Sequence, residues 1–130
     1  MLPRALVVED DLNTRNALRS IIEGEGFAVD AAADGELAIG YLDRQQYTVI
    51  LIDIVLPKMS GAAVMEHLRA TNPTMLEHVI VVTGLDVAEV RKLFPTVGHA
   101  LSKPILPARL RSMVRRWMPG IEESTGVSVA

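Results

Sequence analysis

The stretch Ala5-Leu6-Val7-Val8-Glu9-Asp10-Asp11 decides the fold. Four apolar residues followed at once by three acids read as a buried strand that reaches solvent at its carboxyl end. Three further apolar runs have the same look: Thr48-Val49-Ile50-Leu51-Ile52, Val79-Ile80-Val81-Val82 and Ala100-Leu101. None alternates polar with apolar residues. Each is therefore expected to be covered on both faces, as in a parallel sheet held between two helix layers. Ala28-Val29-Asp30-Ala31-Ala32 is mixed in polarity and suits a sheet edge.

Between these runs the apolar period lengthens to that of a helix. Leu18, Ile21 and Ile22 form a stripe that Gly24 and Gly26 end, and Leu37, Ala38, Tyr41 and Leu42 form a second. Ser60 is placed to cap a third helix carrying Val64, Met65 and Leu68; Asp86 is placed to cap a fourth carrying Val87, Val90 and Leu93, closed by Pro95. In the fifth, Leu110, Met113, Val114 and Trp117 follow i, i+3, i+4, i+7, with Arg109, Arg111, Arg115 and Arg116 off that stripe. Strand and helix thus alternate five times, which predicts an α/β fold with right-handed crossovers onto one parallel sheet. Residues 1–118 are expected to form one domain, and 119–130, which lack periodicity, a flexible tail.

Composition narrows the function. The 130 residues hold 13 basic and 16 acidic side chains, a formal net charge of −3, and no cysteine. A disulfide framework, a thiolate metal site and a cysteine nucleophile are excluded. The acidic balance offers no broad field for a nucleic-acid backbone. No stretch has the length of a signal peptide core or a membrane span, so a cytoplasmic location is expected.

In an open parallel sheet, ligands bind beyond the carboxyl ends of the strands. Those ends carry Glu9 and Asp10, then Asp53, Thr83 and Lys103. Singly, each has an ordinary reading. An acidic pair after a strand usually serves the following helix, Thr83 a strand-end hydrogen bond, and Lys103 a solvated charge. Asp53 is less ordinary, because aspartate is a poor strand former. Together they are a set that neutralises a transferring phosphoryl group: a carboxylate nucleophile, hard oxygen ligands for Mg²⁺, a hydroxyl and an ammonium.

Val7-Val8-Glu9-Asp10-Asp11, Asp53-Ile54-Val55-Leu56-Pro57-Lys58-Met59-Ser60-Gly61, Val82-Thr83-Gly84 and Ser102-Lys103-Pro104 together resemble the receiver domain of two-component response regulators, of the single-domain, CheY-like kind. The resemblance runs from about Arg4 to Met118. It implies a flavodoxin-like, doubly wound (βα)5 fold with strand order 2-1-3-4-5. It makes Asp53 the phosphoacceptor, with Glu9, Asp10 and the main-chain carbonyl of Val55 joining it around Mg²⁺. Lys103 is implied to contact the phosphoryl group, Thr83 to be the switch hydroxyl, Gly84 to leave room for it, and Lys103-Pro104 to be a cis peptide. Such a domain catalyses its own aspartyl phosphorylation and dephosphorylation but works chiefly as a switch. The implied partners are a sensor histidine kinase or histidine phosphotransfer protein, a downstream protein, and a second copy through the fourth and fifth helices.

Two features depart from the family pattern. The aromatic residue that receivers often carry three positions before the lysine is Ala100 here. The positions two after the phosphoacceptor and two after the switch threonine are Val55 and Leu85, neither able to orient a hydrolytic water. A slowly hydrolysing phosphoprotein is the expectation. Two other readings stand beside this one. A pseudo-receiver, a binding module without phosphorylation, is opposed by the full set of acids, hydroxyl and lysine. A haloacid-dehalogenase-like phosphatase needs a second acid where Val55 stands. His67, His78 and His99 lack metal-ligand spacing, and Met59, Met65 and Met113 read as packing residues.

Overall fold

A computed structural model describes residues 2–54, 61–95, 97 and 99–118. Its first strand, Arg4–Val8 (β1), lies between Ala28–Ala32 (β2) and Val49–Ile52 (β3). Val79–Thr83 (β4) follows β3, and His99–Ser102 (β5) closes the sheet. All pairings are parallel, in the order β2-β1-β3-β4-β5. Five helices connect and flank the strands: Leu12–Gly24 (α1), Gly35–Arg44 (α2), Gly61–Thr71 (α3), Val87–Leu93 (α4) and Pro107–Arg115 (α5).

The apolar runs divide into two cores because successive strand side chains point to opposite faces. Leu6, Val8, Ile50, Ile52, Val79 and Val81 pack on one face with Ala38 of α2, Val64 and Leu68 of α3, and Val90 of α4. Ala5, Val7, Val49, Leu51, Ile80 and Val82 pack on the other with Leu18 and Ile22 of α1 and Leu110 and Val114 of α5. The three inner strands are buried along almost their whole length, as their unbroken apolar runs require.

Caps fix where helices begin. The carboxylates of Asp11, Asp34 and Asp86 accept from the backbone N–H of Thr14, Leu37 and Ala88, satisfying donors that a first turn leaves open. Past α1 the chain reverses at Gly26, whose φ of 98° suits glycine.

Several sequence expectations need correction. Ala100-Leu101 is not covered on both faces: β5 is the second sheet edge, and only Leu101 of its four residues is buried. Leu37 does not join its stripe; it stands exposed in the first turn of α2, while Ala38 turns inward. A 3₁₀ helix, Pro73–His78, lies between α3 and β4 where no element was predicted. The proposed Ser60 cap, Met59 and the tail from Pro119 lie outside the described residues. No helix among the described residues is long and apolar enough to cross a membrane.

Candidate functional site

The hydrogen-bond ladder of the sheet continues one residue past the strands and fixes the backbone of the site. Glu9 N–H donates to Ala32 O at 3.0 Å, Asp53 N–H to Val8 O at 3.0 Å, and Lys103 N–H to Thr83 O at 2.8 Å. Each site residue is thus held by a neighbouring strand. The Lys103-Pro104 peptide is cis, as expected.

Their side chains converge. Lys103 Nζ lies 2.8 Å from Asp53 Oδ2 and 2.5 Å from Glu9 Oε1. Glu9, Asp10 and Asp53 each offer a carboxylate oxygen, and the three oxygens lie within 4.8 Å of one another. Glu9 and Asp53 are buried; Asp10 is exposed. Thr83 is buried, and its Oγ1 accepts from Leu85 N–H at 3.3 Å. A Cβ placed on Gly84 would meet nothing within 4 Å. Leu85 packs against the core, and Val55 lies outside the described residues.

Three carboxylates against one ammonium leave an excess of two negative charges if all are ionised. Burial pushes the Glu9 carboxyl above the ordinary glutamate range, with Lys103 opposing it. Burial alone would lower the Lys103 ammonium, but its bonds to Asp53 and Glu9 outweigh that and hold it above the usual lysine value. Lysine therefore stays charged, and a carboxylate cluster of this size and hardness fits a divalent cation such as Mg²⁺.

Two supporting residues escaped the sequence reading. The Arg15 Nη1 group donates to Glu9 O at 3.0 Å and Asp10 O at 3.3 Å, bracing the acidic turn from α1. Gly61 is buried against the backbone that follows β3: a Cβ there would lie 2.5 Å from Asp53 O and 2.5 Å from Ile54 Cα. An arginine in the first turn or so of a helix and a glycine at a helix start carry no such message by themselves. His67 Nε2 lies 3.0 Å from Asp43 Oδ1.

The chain is thus a doubly wound α/β domain with carboxylates and a lysine gathered at the carboxyl ends of β1, β3 and β5. Residues 5–115 match the response regulator receiver domain family, and the chain belongs to it. The response regulator MprA of Mycolicibacterium vanbaalenii is 30% identical over 133 residues, covering 98% of this chain and 56% of that protein. The probable transcriptional regulatory protein TcrX of Mycobacterium tuberculosis is 33% identical over 117 residues, covering 85% of this chain and 49% of TcrX. The chain thus spans about half the length of these curated relatives. Among solved structures, a CheY-like receiver domain protein of Methanospirillum hungatei superposes with a TM-score of 0.79 at 29% identity, covering 89% of this chain and 93% of that one.

Proposed function

We propose that Asp53 accepts a phosphoryl group from a phosphohistidine on a sensor histidine kinase or histidine phosphotransfer protein, in a Mg²⁺-dependent reaction that switches partner binding. The observation that carries this reading is the Asp53 carboxylate 2.8 Å from Lys103 Nζ, with oxygens of Glu9 and Asp10 within reach of one shared cation. An Asp53 oxygen attacks phosphorus, the P–N bond breaks, and the imidazole keeps the electron pair. Bound Mg²⁺, held by Glu9, Asp10, Asp53 and the Val55 carbonyl, would offset the charge of the phosphoryl oxygens.

Lys103 then exchanges its carboxylate partners for phosphoryl oxygen. Among the described residues Thr83 Oγ1 has a long 3.3 Å bond from Leu85 N–H to give up as it turns toward the new anion. Leu85 N–H ties the loop that follows to Thr83, so backbone movement of that loop offers a route to partners without an aromatic residue at position 100.

Intact mass after incubation with acetyl phosphate and Mg²⁺ tests the reading. One phosphoryl adduct, lost in Asp53→Asn and in chelator, supports it. An unchanged mass would make the domain a binding module only, and phosphate release without an adduct would make it a phosphatase.

A further inference from the structure

Asp10 is the exposed member of the acidic cluster, so packing does not aim its carboxylate. Its backbone does. The two peptide planes that flank its Cα end in Glu9 O and Asp10 O, and a single nitrogen, Arg15 Nη1, donates to both, at 3.0 and 3.3 Å. A peptide plane is rigid, so tying both oxygens leaves the two torsions at Asp10 little freedom, and those torsions set the direction of its Cα–Cβ bond. The Arg15 backbone N–H closes the series by donating to Asp11 O at 2.8 Å. One residue of α1 thus holds the carbonyls of three consecutive acids. Asp11 N–H in turn donates to Glu9 Oε2 at 3.3 Å, which ties a buried carboxylate of the cluster to the same turn.

The guanidinium does this without pairing with a carboxylate. Among the described residues Arg15 is in no ion pair, although three acids stand in the turn it grips. Its bonds go to main-chain oxygens and so act on the shape of the turn.

We infer that Arg15 is a positioning residue for the divalent cation: it offers no ligand atom, but holds the Glu9-Asp10-Asp11 turn so that the carboxylates of Glu9 and Asp10 meet that of Asp53 around one ion. Groups that orient metal ligands from behind change affinity by about tenfold or more. The sign of the effect separates position from charge. A positive charge beside a cation site opposes binding, so its removal alone would tighten the site. Weaker binding on removal therefore reports lost geometry. The inference rests on the cation site of the function proposed above, and not on phosphorylation itself.

The test titrates Mn²⁺ alone into unmodified protein and follows the free ion by its paramagnetic resonance signal. Arg15→Met keeps the length of the side chain and removes its donors; it should weaken Mn²⁺ binding about tenfold, with circular dichroism unchanged. Arg15→Lys keeps the charge and a donor on a shorter arm, and should weaken binding by roughly threefold. Arg19→Met removes a guanidinium one turn further along α1, where it donates to Val29 O at 3.2 Å, and should leave the affinity within about twofold. In acetyl phosphate labelling of Arg15→Met, the Mg²⁺ concentration for half the maximal rate should rise by the same factor as the Mn²⁺ dissociation constant, while the maximal rate falls by less. A mere loss of folded protein would lower the maximum and leave the half-saturation point in place. Mn²⁺ held by Arg15→Met as tightly as by the parent, or more tightly, overturns the inference, and so does an equal loss in Arg19→Met. Should Arg15→Met unfold, Arg15→Lys decides in its place, weaker binding supporting the inference and parental binding overturning it. A parent that binds Mn²⁺ but takes no phosphoryl group defeats the proposed function and leaves this inference standing; a parent that binds no Mn²⁺ at millimolar metal defeats both.

Discussion

Lys103 touches both buried carboxylates of the site, and its removal leaves Glu9 and Asp53 facing each other without a cation. Lys103→Ala should slow acetyl phosphate labelling roughly a hundredfold, the scale of losing one positioned donor to a developing anion. The domain should still fold, losing about 2 kcal/mol that Mg²⁺ partly restores. Labelling at the parent's rate would remove the lysine from the chemistry. Glycines make a second residue-scale contrast. Gly61→Ala forces a methyl group into the backbone that carries Asp53, so it should cost about 2–3 kcal/mol and slow labelling as well. Gly84→Ala enters open space and should change stability by less than about 0.5 kcal/mol. Chemical denaturation of the two variants side by side decides this.

At the scale of elements, β5 begins with His99, whose ring meets Trp117 edge-on at 5.0 Å between centroids. Burial first, then Arg116 and His78, hold the His99 imidazole below its ordinary value of 6.5. The unfolded chain therefore takes up a proton that the folded chain resists. Stability from this residue is complete above 6.5 and drains as pH falls from there toward the lower folded value. His99→Phe keeps a ring against Trp117 and removes the titration, so its melting midpoint should vary less than the parent's between about pH 5 and 7.5. Equal slopes would place the acid sensitivity elsewhere. In the loop after β4, Leu85 offers no polar atom to a water, so Val55→Asn with Leu85→Glu should release phosphate faster from purified phosphoprotein. An unchanged rate would shift control of that water to the backbone or a partner.

The elements also differ in how plainly the sequence announces them. β1, β3 and β4 are legible because burial on both faces leaves an unbroken apolar run, and Asp53 because an acid ending such a run is a poor strand former, whereas Lys103 reads as an ordinary solvated charge until it is set beside the other strand ends. The Pro73–His78 segment is not, since about two turns of 3₁₀ helix are too short to show a period, though Asn72-Pro73 marks its start. Leu37 misled because helical spacing does not say which side of a first turn is covered. Gly61 and Arg15 act on backbone atoms of distant or preceding residues, a contact that no residue type encodes.

For the molecule as a whole, the crowded carboxylates mean that the folded domain and a divalent cation should stabilise each other. Raising Mg²⁺ to about a hundred times its dissociation constant should add about 2.7 kcal/mol, read as a higher melting midpoint. Asp10→Asn should shrink that increment, since it removes one of the three clustered carboxylates, and a midpoint insensitive to Mg²⁺ would deny the cluster its cation.

Trp117 is the sole tryptophan, and it rests between His99 and His78 at the end of the sheet remote from Asp53. Nature has in effect installed a lamp at the back of the molecule. Its ultraviolet emission will brighten or dim as the carboxyl end of α5 lifts from the strands or as the His99 imidazole gains its proton, while events among the acids at the front should leave its colour nearly unchanged. A single cuvette can therefore follow unfolding and acidification by intrinsic light, and a spectral shift on adding Mg²⁺ would be direct notice that the front of the sheet speaks to its back.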